Sequence, residues 1–277
     1  MTYADLAPWA DRAGRFSPLR AAAFLGVLAP GLYAVWSFAS GRMGPEPAKA
    51  ATHFSGEWTL YLSLAALAVT PLRRVPGWAR LVTVRRMLGL AAFGYVAAHL
   101  ALFVLDQNGD LLKVAVEIAS RIYLTIGFVA LFGLAALALT SFDRAIRRMG
   151  RTWRRLHALA YPLTALGLLH YFMQAGADVA EPALLAGIFC GLMALRALAV
   201  RRRPPALAFA GAAAFGGVAA AGLEALWLGA VTGVPAGLVL AADLDFSEAI
   251  RPPWIAAAIL AAPILPLLAA RLVRRAS

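Results

Sequence analysis

The chain has 277 residues, of which 62% are hydrophobic and only 14% are charged. A water-soluble domain of this size needs a larger polar surface, so the composition excludes that class and favours a polytopic membrane protein. The net charge of +12 does not indicate a nucleic-acid-binding protein, because the basic residues fall in short clusters between apolar runs, as in loops that contact anionic lipid headgroups.

Eight apolar runs are each long enough to cross about 30 Å of hydrocarbon as a helix. The fold class is therefore predicted to be all-α, a polytopic transmembrane bundle of about eight helices. The first run is expected to be a membrane helix and not a cleaved signal peptide, because further spans follow it. In chain order the runs lie near residues 19–40, 57–73, 87–105, 120–140, 155–174, 182–200, 206–232 and 253–273.

The Lys and Arg residues set the predicted orientation. Their 26 side chains divide as 21 and 5 between alternate non-membrane segments. Because cytoplasmic loops carry the excess of basic residues, both termini and the loops around 73–86, 141–155 and 196–205 are predicted to be cytoplasmic. The segment "THFSGEW" then begins the second span on the periplasmic side, where Thr52 or Ser55 is expected to cap the helix and His53 to be exposed.

Two histidines are predicted to lie at the same depth in the periplasmic half of the membrane. His99 comes about 20 Å along the third span and His170 about 22 Å along the fifth, each counted from the cytoplasmic end. Two imidazoles at equal depth on two helices suit the axial ligands of one haem iron. Two other interpretations stay open: a hydrogen bond between helices, and a proton relay in a transporter.

His157 lies at the cytoplasmic end of the fifth span, near two arginine-rich loops. Arg85 and Arg86 occupy the same level at the start of the third span, so no histidine faces His157 from there. The arginines of the loops at 70–90 and 142–157 have two possible roles. They can set the orientation of the chain in the membrane, or they can bind an anionic group such as haem propionates, a flavin phosphate or an acidic partner protein.

Four segments, in this order and spacing, resemble a known family. They are "HFSGEWTLYLSLAALAVTPLRR", "TVRRMLGLAAFGYVAAHL", "ALTSFDRAIRRMGRTWRRLHALAY" and "LLHYF". They are similar to the haem-binding membrane subunit of the periplasmic protein-methionine-sulfoxide reductase system, within the ferric-reductase-like transmembrane family. The resemblance covers roughly residues 20–200.

The resemblance implies a b-type cytochrome in a bacterial inner membrane, the electron-transfer subunit of an oxidoreductase complex. Electrons would pass from the quinone pool or a cytosolic flavin reductase to a periplasmic molybdopterin enzyme, which reduces methionine sulfoxide in oxidised proteins. The functional histidines of the family match His99, His157 and His170, and its paired arginines match Arg85 and Arg86. The family is also associated with FMN, for which no residues are assigned.

The alternatives from other classes are a proton-coupled transporter that uses the intramembrane histidines and a structural membrane anchor for a periplasmic enzyme. The chain is expected to divide into a haem-binding core at residues 1–200 and a C-terminal two-helix membrane extension at 201–277. Within the extension, Glu224 has no assigned role. A loop contains the acidic residues Asp243, Asp245 and Glu248, which either bind a partner protein or are simply exposed to solvent.

Overall fold

The computed structural model describes residues 7–11, 13–200, 205–247 and 249–276, so Glu248 of the acidic loop lies outside the described residues. Within these ranges the secondary structure is helical, apart from one isolated β-bridge between Ala10 and Phe16. The predicted all-α class of a polytopic membrane protein is confirmed. The helices are α1 (Pro18–Ala39), α2 (Pro47–Leu72), a 3-10 helix (Ala79–Thr83), α3 (Arg85–Asp106), α4 (Leu111–Ser120), α5 (Ile122–Leu139), α6 (Asp143–Met149), α7 (Arg151–Ala158), α8 (Ala160–Ala175), α9 (Ala180–Val200), α10 (Pro205–Thr232), α11 (Ala236–Ala242), α12 (Pro252–Ala261) and α13 (Ile264–Ala276).

Six stretches in the described part of the chain are long and apolar enough to cross a membrane. They comprise α1, α3, α5, most of α9, α10, and a stretch from α12 into α13. These six coincide with six of the eight predicted spans. The other two predicted spans, at 57–73 and 155–174, correspond to α2 and to the pair α7 and α8, which are helical but do not belong to this group.

The predicted fifth span is interrupted at Leu159, between α7 and α8. Pro162 explains the interruption, because it has no N–H to donate to the carbonyl of Ala158 and its ring crowds that carbonyl. The N–H of Leu159 instead donates to the carbonyl of Leu156 at 3.0 Å, which closes α7 with a tighter turn. His157 therefore lies on α7 and His170 on α8.

Helix α2 begins at Pro47, ten residues before the predicted span. Thr52 and Ser55 consequently lie inside the helix, and the prediction that one of them caps it is wrong. Their hydroxyls donate to helix carbonyls, that of Thr52 to Ala48 at 2.8 Å and that of Ser55 to Thr52 at 2.9 Å. His53 is exposed, as expected.

The chain divides into two compact units. The first contains Met1–Ala66 and Thr83–Gly167, and the second contains Leu67–Val82 and Leu168–Ser277. The division into a core at 1–200 and an extension at 201–277 stays a prediction.

In the first unit, Tyr95 joins α3 to α1. Its hydroxyl donates to the carbonyl of Val27 at 2.9 Å. Gly31 gives the ring room, since a Cβ at that position would lie 3.2 Å from the Tyr95 hydroxyl. Trp58 of α2 also contacts Tyr95, with ring centroids 6.4 Å apart. These contacts orient the face of α3 on which His99 lies, one turn beyond Tyr95.

In the second unit, glycines allow α9, α10 and α12 to pack closely. A Cβ on Gly187 would lie 2.7 Å from the carbonyl oxygen of Gly216, and one on Gly191 would lie 2.9 Å from that of Ala212. No side chain fits at those distances, so these backbones approach through small residues, as membrane helices commonly do.

The second unit also gives Glu224 a partner. Its carboxylate is 3% exposed and accepts a hydrogen bond from Arg251 at 3.1 Å. The same guanidinium lies 3.6 Å from the Asp243 carboxylate. Asp243 lies outside the spans, and burial raises the pKa of its carboxyl, with the charge of Arg251 acting in the opposite direction. Because Asp243 is buried, Asp245 is the exposed acid of this loop within the described residues.

Candidate functional site

His99 lies on the fifteenth residue of α3 and packs against α2. Its Nδ1 atom is 2.7 Å from the backbone carbonyl oxygen of Thr52. Gly56, one turn further along α2, makes this approach possible, because a Cβ there would lie 3.0 Å from Nδ1 and 3.1 Å from Cε1. Any residue larger than glycine at position 56 would push the ring away from α2.

The contact with Thr52 fixes the tautomer of His99. A backbone carbonyl oxygen can only accept a hydrogen bond, so Nδ1 must carry the proton at this distance. In the neutral imidazole the lone pair then resides on Nε2, the second ring nitrogen. Metal-ligating histidines usually have this arrangement, with one nitrogen anchored to a carbonyl or carboxylate and the other directed to the metal. The residues around His99 therefore suit a metal ligand.

His170 lies on the eleventh residue of α8 and belongs to the second unit. It is half-buried. Two residues further on, the buried ring of Phe172 packs against Trp227 of α10, with centroids 5.3 Å apart. The indole of Trp227 donates to the carbonyl of Gly176 at 2.7 Å, which fixes the end of α8. The pairing of His170 with His99 on one iron stays a prediction.

His157 is held by a different set of contacts. Its ring stacks on Trp153, one turn earlier on α7, with centroids 3.9 Å apart and an interplanar angle of 24°. Its Nε2 is 3.1 Å from the Thr140 hydroxyl. That hydroxyl also lies 2.8 Å from the carbonyl oxygen of Ala136; when it donates there, it accepts from His157, and Nε2 carries the proton. In that tautomer the lone pair of a neutral His157 lies on Nδ1.

The indole N–H of Trp153 donates to the carbonyl of Thr140 at 2.9 Å. Thr140, Trp153 and His157 thus form one small cluster that joins the end of α5 to α7. The sequence interpretation missed Thr140 and Trp153. The spacing of Trp153 and His157, four residues apart on a helix, was the available signal for their contact.

The two predicted arginines differ in their surroundings. Arg86 donates to the Asp143 carboxylate at 2.8 Å, in an exposed ion pair that contributes at most about 1 kcal/mol. The positive charge of Arg85 acts on the His157 ring. Both begin α3, which has no acidic residue in its first turn. Cations there oppose the helix dipole, so their position does not stabilise the helix.

Comparison with known proteins gives consistent results. A family model described as the ferric reductase like transmembrane component matches residues 55–168. A protein-methionine-sulfoxide reductase heme-binding subunit, MsrQ, from Rhodospirillum rubrum is 42% identical over 196 residues, which cover 70% of this chain and 92% of the relative. The MsrQ of Xanthomonas axonopodis pv. citri is 43% identical over 163 residues, covering 58% of this chain and 75% of the relative. No solved structure matches the chain.

Proposed function

Because the chain belongs to the MsrQ family of heme-binding subunits of protein-methionine-sulfoxide reductase, within the ferric-reductase-like transmembrane proteins, we propose that it is a b-type cytochrome of a bacterial inner membrane. It carries electrons from quinol or a cytosolic flavin reductase to a periplasmic molybdopterin subunit that reduces methionine sulfoxide. The observation that best supports this role is the anchored imidazole of His99, whose Nδ1 is committed to the Thr52 carbonyl.

In this proposal His99 and His170 hold haem b. His99 lies about 21 Å along α3 from Arg85, a depth that places it beyond the middle of a span. Haem held by these two histidines would supply one-electron transfer. Gly56 contributes by letting the ring of His99 approach α2, and the Thr52 carbonyl contributes by keeping Nδ1 protonated.

The electron donor is proposed to bind near His157, at the cytoplasmic end of the chain's core. The Nδ1 lone pair of a neutral His157 can accept a hydrogen bond from a quinol hydroxyl or from a reduced flavin ring N–H. Arg85 supplies positive charge beside the same ring, which favours an anionic donor group. FMN remains part of this proposal as a property of the family, without residues assigned to it.

The proposed topology places both termini and the 141–155 loop in the cytoplasm and the 175–181 loop in the periplasm. This follows from the basic-residue count, since the latter loop contains none of the 26 Lys and Arg residues. Reporter fusions at Met149 and Gly176 are expected to report opposite compartments. If both reporters are active in the same compartment, the proposed map is wrong.

A visible spectrum of the detergent-purified protein tests the proposed function most directly. We expect a Soret band and, after reduction with dithionite, a sharp low-spin α band of a b-type haem. Pyridine haemochrome analysis then gives the number of haems per chain. A colourless protein with intact helical circular dichroism would contradict the proposal and favour the transporter or anchor interpretations.

A further inference from the structure

The carbonyl oxygen of Thr52 accepts two side-chain hydrogen bonds. One comes from Nδ1 of His99 at 2.7 Å and the other from the hydroxyl of Ser55 at 2.9 Å. Ser55 is buried, with the residue 5% exposed, so its hydroxyl is shielded from bulk water. Ser55 and His99 therefore share one acceptor, although the two side chains do not hydrogen-bond each other.

Two donors on one carbonyl oxygen weaken each other, because each withdraws electron density from the lone pairs that the other uses. The Ser55 hydroxyl consequently lowers the acceptor strength of Thr52 toward His99. Gly56 allows the ring to reach this carbonyl, since a Cβ at that position would lie 3.0 Å from Nδ1. At the observed separation of 2.7 Å, the strength of the His99 hydrogen bond depends on how basic the Thr52 oxygen is.

A hydrogen bond at the outer nitrogen of a ligating histidine changes how strongly the inner nitrogen donates to the metal. A stronger bond from Nδ1–H gives the ring more imidazolate character, and the added negative charge stabilises the oxidised iron relative to the reduced iron. A weaker bond has the reverse effect. Hydrogen bonding outside the ligand shell is one of the means by which proteins set haem potentials.

We propose that Ser55 is a positioning residue that raises the reduction potential of the haem held by His99, by competing for the Thr52 carbonyl. The proposal rests on the proposed ligation of haem by His99. It predicts that the potential follows the donor strength of residue 55, with the haem and its ligands unchanged.

The experiment is a redox titration of the detergent-purified full chain, followed at the α band, for four variants beside the wild type. Ser55→Ala removes the competing donor, and Ser55→Cys replaces it with a weaker one. Ser55→Thr restores a hydroxyl. Ser63→Ala is the matched control, because Ser63 is another buried serine of α2, two turns further along, and 8% exposed.

We expect Ser55→Ala to shift the midpoint potential to a more negative value, and Ser55→Cys to shift it less in the same direction. At an ambient potential where half the wild-type haem is reduced, clearly less than half of the Ser55→Ala haem should be reduced. Ser55→Thr and Ser63→Ala should keep the wild-type potential. Haem content and low-spin electron paramagnetic resonance signals should be retained in all four.

An unchanged or more positive potential in Ser55→Ala overturns the inference. So does loss of haem from both Ser55→Ala and Ser55→Cys, which would make Ser55 a structural residue. Neither result contradicts the proposed function. That proposal fails if the wild type has no haem or if His99→Ala keeps a normal haem.

Discussion

His99→Ala is expected to abolish the Soret and reduced α bands of the proposed haem, and His170→Ala should do the same. Each change removes one of the two proposed haem ligands, and the alanine side chain has no donor atom to replace it. His53→Ala is the matched control, because His53 is an exposed histidine of α2, next in sequence to the Thr52 that anchors His99. Haem content and reduced-minus-oxidised spectra of the three purified variants provide the measurement.

One outcome would contradict this prediction. A normal low-spin spectrum in His99→Ala would show that another residue ligates the iron and would remove the basis for the depth argument. Helical circular dichroism must be recorded in parallel, so that loss of haem is distinguished from loss of fold. His53→Ala should keep the full wild-type haem content, because its ring contributes to neither of the described contacts of His99.

The helical class was predictable because hydrocarbon imposes one requirement on every spanning segment, namely that its backbone hydrogen bonds be made internally. Local interruptions were less predictable from apolar runs alone. Pro162 sits within an uninterrupted apolar sequence, yet it ends α7 at Ala158 by depriving that carbonyl of its donor. The start of α2 at Pro47 was missed for the opposite reason, since the residues before Trp58 are too polar to read as part of a span.

The histidines of the candidate site could be identified from sequence, because imidazoles inside apolar runs are rare and costly. The atoms that hold these histidines in place could not be identified from sequence. The group that anchors His99 is a backbone carbonyl, which every residue possesses, so the letters "THFSGEW" give no sign that position 52 provides it. Gly56 carries a weak signal of close approach, but its partner 43 positions away becomes apparent only when α2 and α3 are seen together.

Glu224 illustrates a charge whose partner lies outside its own helix. The sequence shows an acid inside α10 and a basic residue in the following loop, without a spacing that relates them. In the structure Arg251 precedes α12 and reaches back to both Glu224 and Asp243. A buried carboxylate needs such compensation, because leaving it unpaired in an apolar environment costs several kcal/mol, on the order of 3–5.

His157→Ala is expected to keep the low-spin spectrum of the haem and to slow its reduction by quinol or reduced flavin. His157 contacts Thr140 and Trp153, and Nδ1 of His99 is held by the Thr52 carbonyl, so the described hydrogen bonds of the two rings share no residue. Loss of one hydrogen bond to the donor, about 1.4 kcal/mol, corresponds to about a tenfold lower rate. Stopped-flow reduction at matched haem concentration measures it.

Three further variants separate the contributions at this end of the molecule. Thr140→Val keeps the imidazole but removes the acceptor of its Nε2–H, so it should slow reduction less than His157→Ala does. Arg85→Ala should also slow reduction, by removing the charge beside the ring. Arg86→Ala should act in the same direction with a smaller effect, because Asp143 already neutralises Arg86.

The comparison with the ligand variants decides between two roles for His157. The proposal assigns haem to His99 and His170 and gives His157 no part in holding it. A donor-site role therefore predicts full haem content in His157→Ala together with a reduced rate. If His157→Ala instead loses haem as completely as His170→Ala, while His99→Ala keeps some, His157 is itself a principal ligand. The anchored Nδ1 of His99 would then be explained by packing between α2 and α3 alone.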